Sequence, residues 1–139
     1  MSNLKTLWIN PDHIEYIWSD VEPLISKALH HSAGEISSTD ILDKLLNKQM
    51  ILLIGVEGTE ILMALVAGIE EYPRKKTLRI ITWGTKSGHD YESWMPMFPS
   101  VVETFAKSKG CSSIEAWTRK GLAKKLNWDH EYTIVVKNI

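Results

Sequence analysis

Two long apolar runs separated by a short turn constrain the fold of this chain more than any other feature. Residues 51–56 and 61–69 are almost wholly apolar, and Glu57-Gly58-Thr59 stands between them. A strand that faces solvent on one side alternates apolar and polar residues, whereas a strand buried on both faces does not. The two runs therefore predict a β-hairpin inside a sheet that is covered on both faces.

Two helices are predicted ahead of this hairpin. Between residues 14 and 29 apolar residues recur at three- and four-residue steps, and Asn10-Pro11 is a suitable helix start. Pro23 lies inside the pattern and predicts a kink or a division of the helix, because proline lacks the N–H donor. Ser37, with Asp40 three residues later, is a capping-box pair that predicts the start of the second helix.

A parallel crossover is predicted after the hairpin. Residues 78–83 form a third strand, and a helix from Trp94 to Lys109 stops at Gly110 before a short strand over 113–117. A strand–helix–strand connection of this kind makes the two strands parallel neighbours.

A short helix over 119–126 and an alternating strand over 132–136 complete the order of elements. The sum predicts an α/β (α+β) chain with one mixed β-sheet and helices on both faces. We expect a single domain over residues 1–139.

Charge and cysteine content restrict the function classes. The formal net charge of −1 argues against DNA or RNA binding, which needs an excess of cations to neutralise phosphates. The one cysteine, Cys111, cannot form a disulfide within the chain and fits a reducing compartment. No apolar stretch approaches the roughly 20 residues that span a bilayer. We therefore expect a cytoplasmic protein without a membrane span, and no metal site, because no other histidine or cysteine stands near His30-His31.

The order of elements resembles the GNAT acetyltransferase superfamily over nearly the whole chain. Many GNAT enzymes carry a segment like L-Y-E-K-L-G-F before their last strands. Residues 122–128, Leu-Ala-Lys-Lys-Leu-Asn-Trp, keep its spacing and its apolar positions. The resemblance implies the GNAT fold.

Small GNAT-like proteins of phages and prophages are similar in further places. Trp18, Gly84 and Trp94 match their tryptophan-bearing first helix and their strand–Gly–loop–Trp–helix segment. Their Gly-Arg-x-Gly-Trp box corresponds to residues 118–122, where threonine and leucine replace the first glycine and the tryptophan. This likeness implies a phage-type protein, located in a host cytoplasm or inside a virion.

The resemblance also implies an acyl-CoA site after the fourth strand of the fold. GNAT enzymes hold the pyrophosphate there with the signature Arg/Gln-x-x-Gly-x-Gly/Ala, whereas residues 84–90 read Gly-Thr-Lys-Ser-Gly-His-Asp. The glycines would let backbone N–H groups form an anion nest, the lysine adds positive charge, and the strand backbone would polarise the thioester carbonyl. The candidate cofactor-binding residues are Thr82, Trp83, Gly84, Lys86 and Gly88.

Other residues nearby favour a purely structural loop. Asp90 and Glu92 would repel a pyrophosphate, and Pro96 and Pro99 remove N–H donors where the following helix starts. On this alternative, no cofactor is bound.

The acid–base residues of a GNAT enzyme have no clear counterparts in this chain. Many of these enzymes protonate the departing thiolate with the tyrosine of the segment described above, and Ala123 takes its place here. Tyr132 is close in sequence, but its alternating strand favours packing. Glu70, Glu71 and Glu115 lie on or beside central strands, and one of them acts as a base only if burial raises its pKa. Glu70, Glu115 and Tyr132 are the catalytic candidates.

Two functional hypotheses follow. The sequence favours a catalytically silent GNAT-fold protein that acts through protein contacts, as a virion component or a binder of a host protein. Ala123, the missing pyrophosphate signature and six tryptophans, a residue type enriched at binding hot spots, support it. The alternative is a divergent acetyl-CoA-dependent N-acetyltransferase that uses the 84–90 loop, with glutamate or water as base.

Overall fold

The central feature of the structure is a mixed β-sheet, to which the described residues contribute five strands. The computed structural model describes residues 4–29, 36–89, 91–116, 128–129, 135 and 137–139. The strands are β1 (Leu4–Trp8), β2 (Ile51–Glu57), β3 (Glu60–Tyr72), β4 (Lys75–Thr85) and β5 (Ser113–Ala116). They lie in chain order, with β1 to β4 antiparallel and β5 parallel to β4. The predicted hairpin and the predicted parallel crossover are both confirmed.

Two helices precede the hairpin, as predicted. Helix α1 (Ile14–Leu29) follows a 3-10 turn at Pro11–His13, where the side chain of Asn10 accepts a hydrogen bond from the backbone of Asp12. Helix α2 (Ser38–Leu46) begins with the predicted capping box. In that box Ser37 and Asp40 each accept a hydrogen bond from the backbone N–H of the other.

The sequence predicted that Pro23 would either kink helix α1 or divide it. The helix is continuous through Pro23, so the proline does not divide it. Pro23 is exposed, while Val21, Leu24 and Ile25 on the opposite side are buried. Burying three such side chains stabilises the helix by several kcal/mol, roughly 1.5–3 kcal/mol each, which exceeds the loss of one backbone hydrogen bond.

Apolar cores lie on both faces of the sheet. We call the side covered by α1 and α2 the α1 face, and its core includes Ile14, Val21, Ile41, Leu45 and Val66. We call the other side the α3 face, after helix α3 (Glu103–Ser108), and its core includes Leu65, Trp83, Trp94, Phe98 and Val102. Both faces of the central strands are therefore buried, which explains their unbroken apolar sequence.

The crossover between β4 and β5 is less regular than the single helix predicted over 94–109. It contains a 3-10 turn at Tyr91–Ser93, a π-helical turn at Phe98–Val102 and the short α3. Pro96 and Pro99 interrupt the α-helical hydrogen bonding because neither donates an N–H. Gly110 has φ +81° and ends the helix at the predicted position.

Strand β1 was not predicted, and it lies beside β2 at the edge of the five described strands. The strand is short and its sequence carries no strong pattern. The predicted helix over 119–126 lies outside the described residues, as does the predicted strand over 132–136 apart from residue 135. None of the described helices has both the length and the apolar composition needed to cross a membrane.

Candidate functional site

Strand β4 extends well beyond the stretch that pairs with the described residues of β5. The parallel pairs run from Thr77–Ser113 to Ile80–Ala116, and β4 then continues to Thr85. The β3–β4 register shifts at the same level, with Val66 opposite Thr82 and Ala67 opposite Ile80, so that Ile81 forms a bulge. We call the side of residues 81–85 that faces away from β3 the 81–85 edge; it has no strand partner in the described part of the chain.

The bulge directs two consecutive side chains to one face of the sheet. Ile81 packs against the core of the α1 face, and Thr82 faces the same way because its cross-strand partner, Val66, belongs to that core. Trp83 points to the α3 face, where its ring contacts that of Phe98 edge-on at a centroid distance of 5.0 Å.

Thr82 is a buried polar residue on this bulge. Its side chain is 4% exposed, and its hydroxyl has no hydrogen-bond partner among the residues that the structure describes. A buried hydroxyl without a partner costs about 1–3 kcal/mol. The strand therefore carries a polar group that the described part of the fold does not use.

Gly84 lies in β4 and not in the loop where the sequence placed it. A Cβ at this position would meet the carbonyl oxygen of Leu24 at 2.0 Å, so α1 approaches β4 too closely for any side chain. The close approach of α1 is therefore a packing reason for this glycine. Whether its backbone also contacts a cofactor stays a prediction.

The loop after β4 carries positive charge and one left-handed glycine. Gly88 has φ +86° and open space around its missing side chain, and the His89 N–H donates to the Lys86 carbonyl at 3.0 Å across the turn. Lys27 of α1 donates to the Thr85 carbonyl at 2.9 Å. Six residues line a shallow depression of about 280 Å³ at this loop: Lys27, Thr85, Lys86, Ser87, Gly88 and His89.

Lys86 forms an ion pair with an acidic neighbour. Its ammonium group lies 2.6 Å from a carboxylate oxygen of Glu60, and this hydrogen bond holds the pKa of Glu60 below its usual value. Both side chains are more than half exposed, so the pair is screened by solvent and worth little.

Glu70 and Glu115, the predicted base candidates, are brought together by Arg79. The Arg79 guanidinium lies 2.8 Å from Glu115 and 3.2 Å from Glu70, and it donates to the Tyr72 hydroxyl at 2.8 Å. Tyr72 in turn donates to Glu115 at 2.9 Å. The four side chains form one network on the α1 face, which we call the Arg79 network.

Both predicted base candidates are ion-paired with Arg79, and whether either acts as a base stays a prediction. Burial lowers the pKa of Arg79, but hydrogen bonds to Glu115 and Tyr72 outweigh it and hold that pKa above its ordinary value. The guanidinium thus stays charged, and it contacts a carboxylate oxygen of both Glu115 and Glu70. The other two predicted positions, Tyr132 and Ala123, lie outside the described residues.

Sequence reasoning missed Arg79, Tyr72 and Lys27. The hairpin register contained a signal for the first two, since residues 70, 72, 77 and 79 alternate onto one face once β3 and β4 are paired. Lys27 had no such signal, because its position depends on how α1 packs across the end of β4.

The residues around the 84–90 loop fit a diphosphate group. Gly88 leaves room for close approach, and Lys27 and Lys86 line the same depression. Within the described ranges, no three His, Cys, Asp or Glu side chains come together as metal ligands.

Comparisons with known proteins place this geometry in a known fold. No protein-family model matches the sequence, and no curated protein matches it. Solved structures do match. An aminoglycoside acetyltransferase from an uncultured soil metagenomic sample, in complex with sisomicin, has a TM-score of 0.73 at 12% identity, over 98% of this chain and 95% of that one.

Two further acetyltransferases match over the whole of this chain. Aminoglycoside N-acetyltransferase AAC(6')-Iy, in complex with CoA, has a TM-score of 0.70 at 12% identity over 96% of its length. A GNAT family acetyltransferase of Staphylococcus aureus has a TM-score of 0.64 at 16% identity over 100% of its length. These likenesses show that the fold of this chain is that of the GNAT acetyltransferases.

Proposed function

We propose that this chain is an acyl-CoA-dependent N-acyltransferase that brings an amine to the thioester at the 81–85 edge and uses no side-chain base. One observation carries the proposal: β4 continues for five residues beyond its last pair with the described residues of β5, and a bulge lies next to that pair. A strand edge offers backbone N–H and C=O groups to an extended ligand, and the pantetheine arm of CoA carries amides that can pair with it.

Residues of the loop and of β4 would bind different parts of acyl-CoA. Gly88 with the ammonium groups of Lys27 and Lys86 would hold the diphosphate, and the strand backbone near Thr82 and Trp83 would polarise the thioester carbonyl. The likeness to acetyltransferases, one of which is in complex with CoA, supports this arrangement.

The transfer needs a neutral amine. Its nitrogen lone pair forms a bond to the thioester carbon, the carbon–sulfur bond breaks, and the thiolate leaves with its electron pair. The amine proton passes to solvent, and the thiolate takes a proton from solvent. Holding the two reactants in line supplies about 7 kcal/mol or more without a base, which suits a site whose candidate glutamates are both bound to Arg79.

Calorimetric titration with acetyl-CoA tests the site, and the chain offers a matched control. Gly88→Val should remove binding, because the side chain forces a left-handed residue into strain and fills the depression. Gly58→Val introduces similar strain at φ +61° in the β2–β3 turn, also with open space around it, and should leave affinity unchanged. Wild-type protein that releases no heat with acetyl-CoA at millimolar concentration would reject the proposal.

A second candidate is a catalytically silent protein that acts through contacts with a protein partner, in a virion or on a host protein. The Arg79 network favours it, because both candidate bases are bound to a guanidinium. So do Leu7 and Trp8 of edge strand β1, which are 45% and 48% exposed. Acetyl transfer from acetyl-CoA to any amine in a broad panel would exclude this role. The phage-type likeness and the cytoplasmic location stay predictions.

A further inference from the structure

Two short segments at one end of the sheet are dense in positive charge. Residues 74–76, in the turn between β3 and β4, read Arg-Lys-Lys, and residues 107–109, at the end of α3, read Lys-Ser-Lys. We call the two segments together the basic end. Its six residues hold five of the sixteen lysines and arginines of the chain and no acidic residue. The rest of the chain therefore holds eleven cations against seventeen acidic residues, an asymmetry that the net charge of −1 conceals.

Backbone contacts bring the two segments together. The Ser112 N–H donates a hydrogen bond to the Lys76 carbonyl at 2.9 Å, and the Gly110 N–H donates to the Lys107 carbonyl at 3.0 Å. A Cβ on Gly110 would lie 3.9 Å from the ammonium nitrogen of Lys76. The turn after β3 and the end of α3 therefore lie side by side at one end of the molecule.

The charges of the basic end are little neutralised by the described residues. Lys76 lies 3.7 Å from a carboxylate oxygen of Glu71, whose side chain is 74% exposed, so solvent screens this pair. Arg74 and Lys107 are both exposed, and their side chains form no hydrogen bond or ion pair within the described ranges. Carboxylates from outside the chain would therefore find cations that are not already paired.

Aromatic rings hold two further cations of the basic end in place. The Lys75 ammonium lies 5.8 Å from the centroid of the Tyr72 ring, and the Lys109 ammonium lies 5.6 Å from that of the Phe105 ring. A contact of this kind restricts a lysine side chain but leaves its positive charge uncancelled. Restricting the side chains in advance lowers the entropy cost of binding an anion.

We propose that the basic end binds an acidic segment of a protein partner. A group of like charges repels itself and adds nothing to the stability of the fold, whereas the carboxylates of a partner would neutralise it. A nucleic acid fits this surface less well, because its continuous negative charge would extend over the rest of the chain, where acidic residues outnumber cations. The inference does not depend on which candidate function is correct.

Fluorescence anisotropy with a labelled hexaglutamate peptide tests this inference, with hexaglutamine as the neutral control. The full-length wild-type protein should bind hexaglutamate more tightly than hexaglutamine, and added NaCl should remove the difference because it screens exposed charges. The double variant Arg74→Gln/Lys107→Gln should raise the Kd for hexaglutamate about fivefold. Its urea midpoint should stay the same or rise, since neither side chain holds a described contact.

Lys5→Gln/Lys44→Gln is the matched control, because it removes the same charge at exposed positions of β1 and α2. It should leave the Kd for hexaglutamate within about twofold of wild type. Equal weakening by the two double variants overturns the inference, as does a wild-type protein that binds both peptides equally. Tighter binding of a single-stranded oligothymidylate of equal charge also overturns it, and would identify a nucleic acid as the occupant.

Discussion

The carbonyl oxygen of Leu24 in α1 lies 2.0 Å from the position that a Cβ on Gly84 in β4 would occupy. Both partners in this contact are backbone, so neither can move away without shifting the helix from the sheet. Gly84→Ala should therefore lower the free energy of unfolding by about 3 kcal/mol, at the upper end of the usual cost of overpacking. Urea denaturation followed by tryptophan fluorescence measures it.

Gly68→Ala is the control for this prediction. Gly68 lies on β3, and a Cβ there would meet its nearest atom, the carbonyl oxygen of Gln49, at 3.9 Å, an ordinary contact distance. The substitution should change the free energy of unfolding by less than about 1 kcal/mol. Equal effects of the two alanines would show that α1 does not pack against Gly84 as described.

A second prediction concerns the unequal partners in the Arg79 network. Glu115 lies 2.8 Å from the guanidinium with 21% of its side chain exposed, whereas Glu70 lies at 3.2 Å with 43% exposed. Because a shorter and drier contact is less screened, Glu115→Gln should cost about 1–2 kcal/mol of unfolding free energy and Glu70→Gln less than about 0.5 kcal/mol. Urea denaturation at low and high salt measures both, and a larger effect for Glu70 would contradict the assigned geometry.

The fold was largely predictable because its signals are local. The apolar runs of β2 and β3, the capping box at Ser37 and Asp40, and the stop at Gly110 each act within a few residues and were confirmed. The helix predicted over 94–109 was confirmed only from Phe98 to Ser108, and its first part is π-helical, although its two prolines were visible in the sequence.

Contacts between residues that lie far apart in the sequence were not predictable. A Cβ on Gly55 would meet the Trp94 ring at 2.5 Å, and these residues approach only after the crossover packs on β2. In the same way the sequence indicated Glu70 and Glu115 as separate candidates, because only the three-strand register brings Arg79 between them. Pairings between distant residues leave no periodic pattern in one sequence.

A third prediction follows from the capping box of α2. The backbone N–H and side chain of Ser37 hold the pKa of Asp40 below its ordinary value of 3.8. A carboxylate whose pKa falls on folding adds stability that is fully present above the unfolded pKa and is lost as the pH falls through the folded one. Asp40→Asn should therefore lower the urea midpoint at pH 7, and its difference from wild type should shrink below pH ~4.

Two variants of the same helix test the cause of that difference. Ser37→Ala removes the other half of the box and should cost about 1 kcal/mol of unfolding free energy. Asp43→Asn makes the same charge change at an exposed position of α2 outside the capping box, and should shift the midpoint less. If Asp43→Asn matched Asp40→Asn at both pH values, net charge and not the cap would be responsible.

The last prediction addresses how the proposed acyltransferase obtains a neutral amine. Without a side-chain base, only the unprotonated fraction of the amine reacts, so the logarithm of kcat/KM should rise with a slope of about one per pH unit until the pKa of the amine is reached. Two amines of different pKa should give curves displaced by that difference. Continuous detection of the released CoA thiol over pH 6–10 measures the profile.

Glutamate variants complete the test, because the Arg79 network contains both predicted bases. Arg79 keeps its charge over this pH range, because its pKa is held above its ordinary value. Its contribution to the stability of the fold is therefore lost only well above the pH of the assay. Glu70→Gln and Glu115→Gln should therefore leave the slope unchanged and lower the plateau of kcat/KM by no more than about threefold. The loss of a general base would instead lower kcat/KM by about 10²–10⁴-fold. The outcome that would contradict this is a pH profile of kcat/KM that bends at the same pH for both amines. If one of the two glutamine variants removed that bend, the glutamate it replaces would be the base.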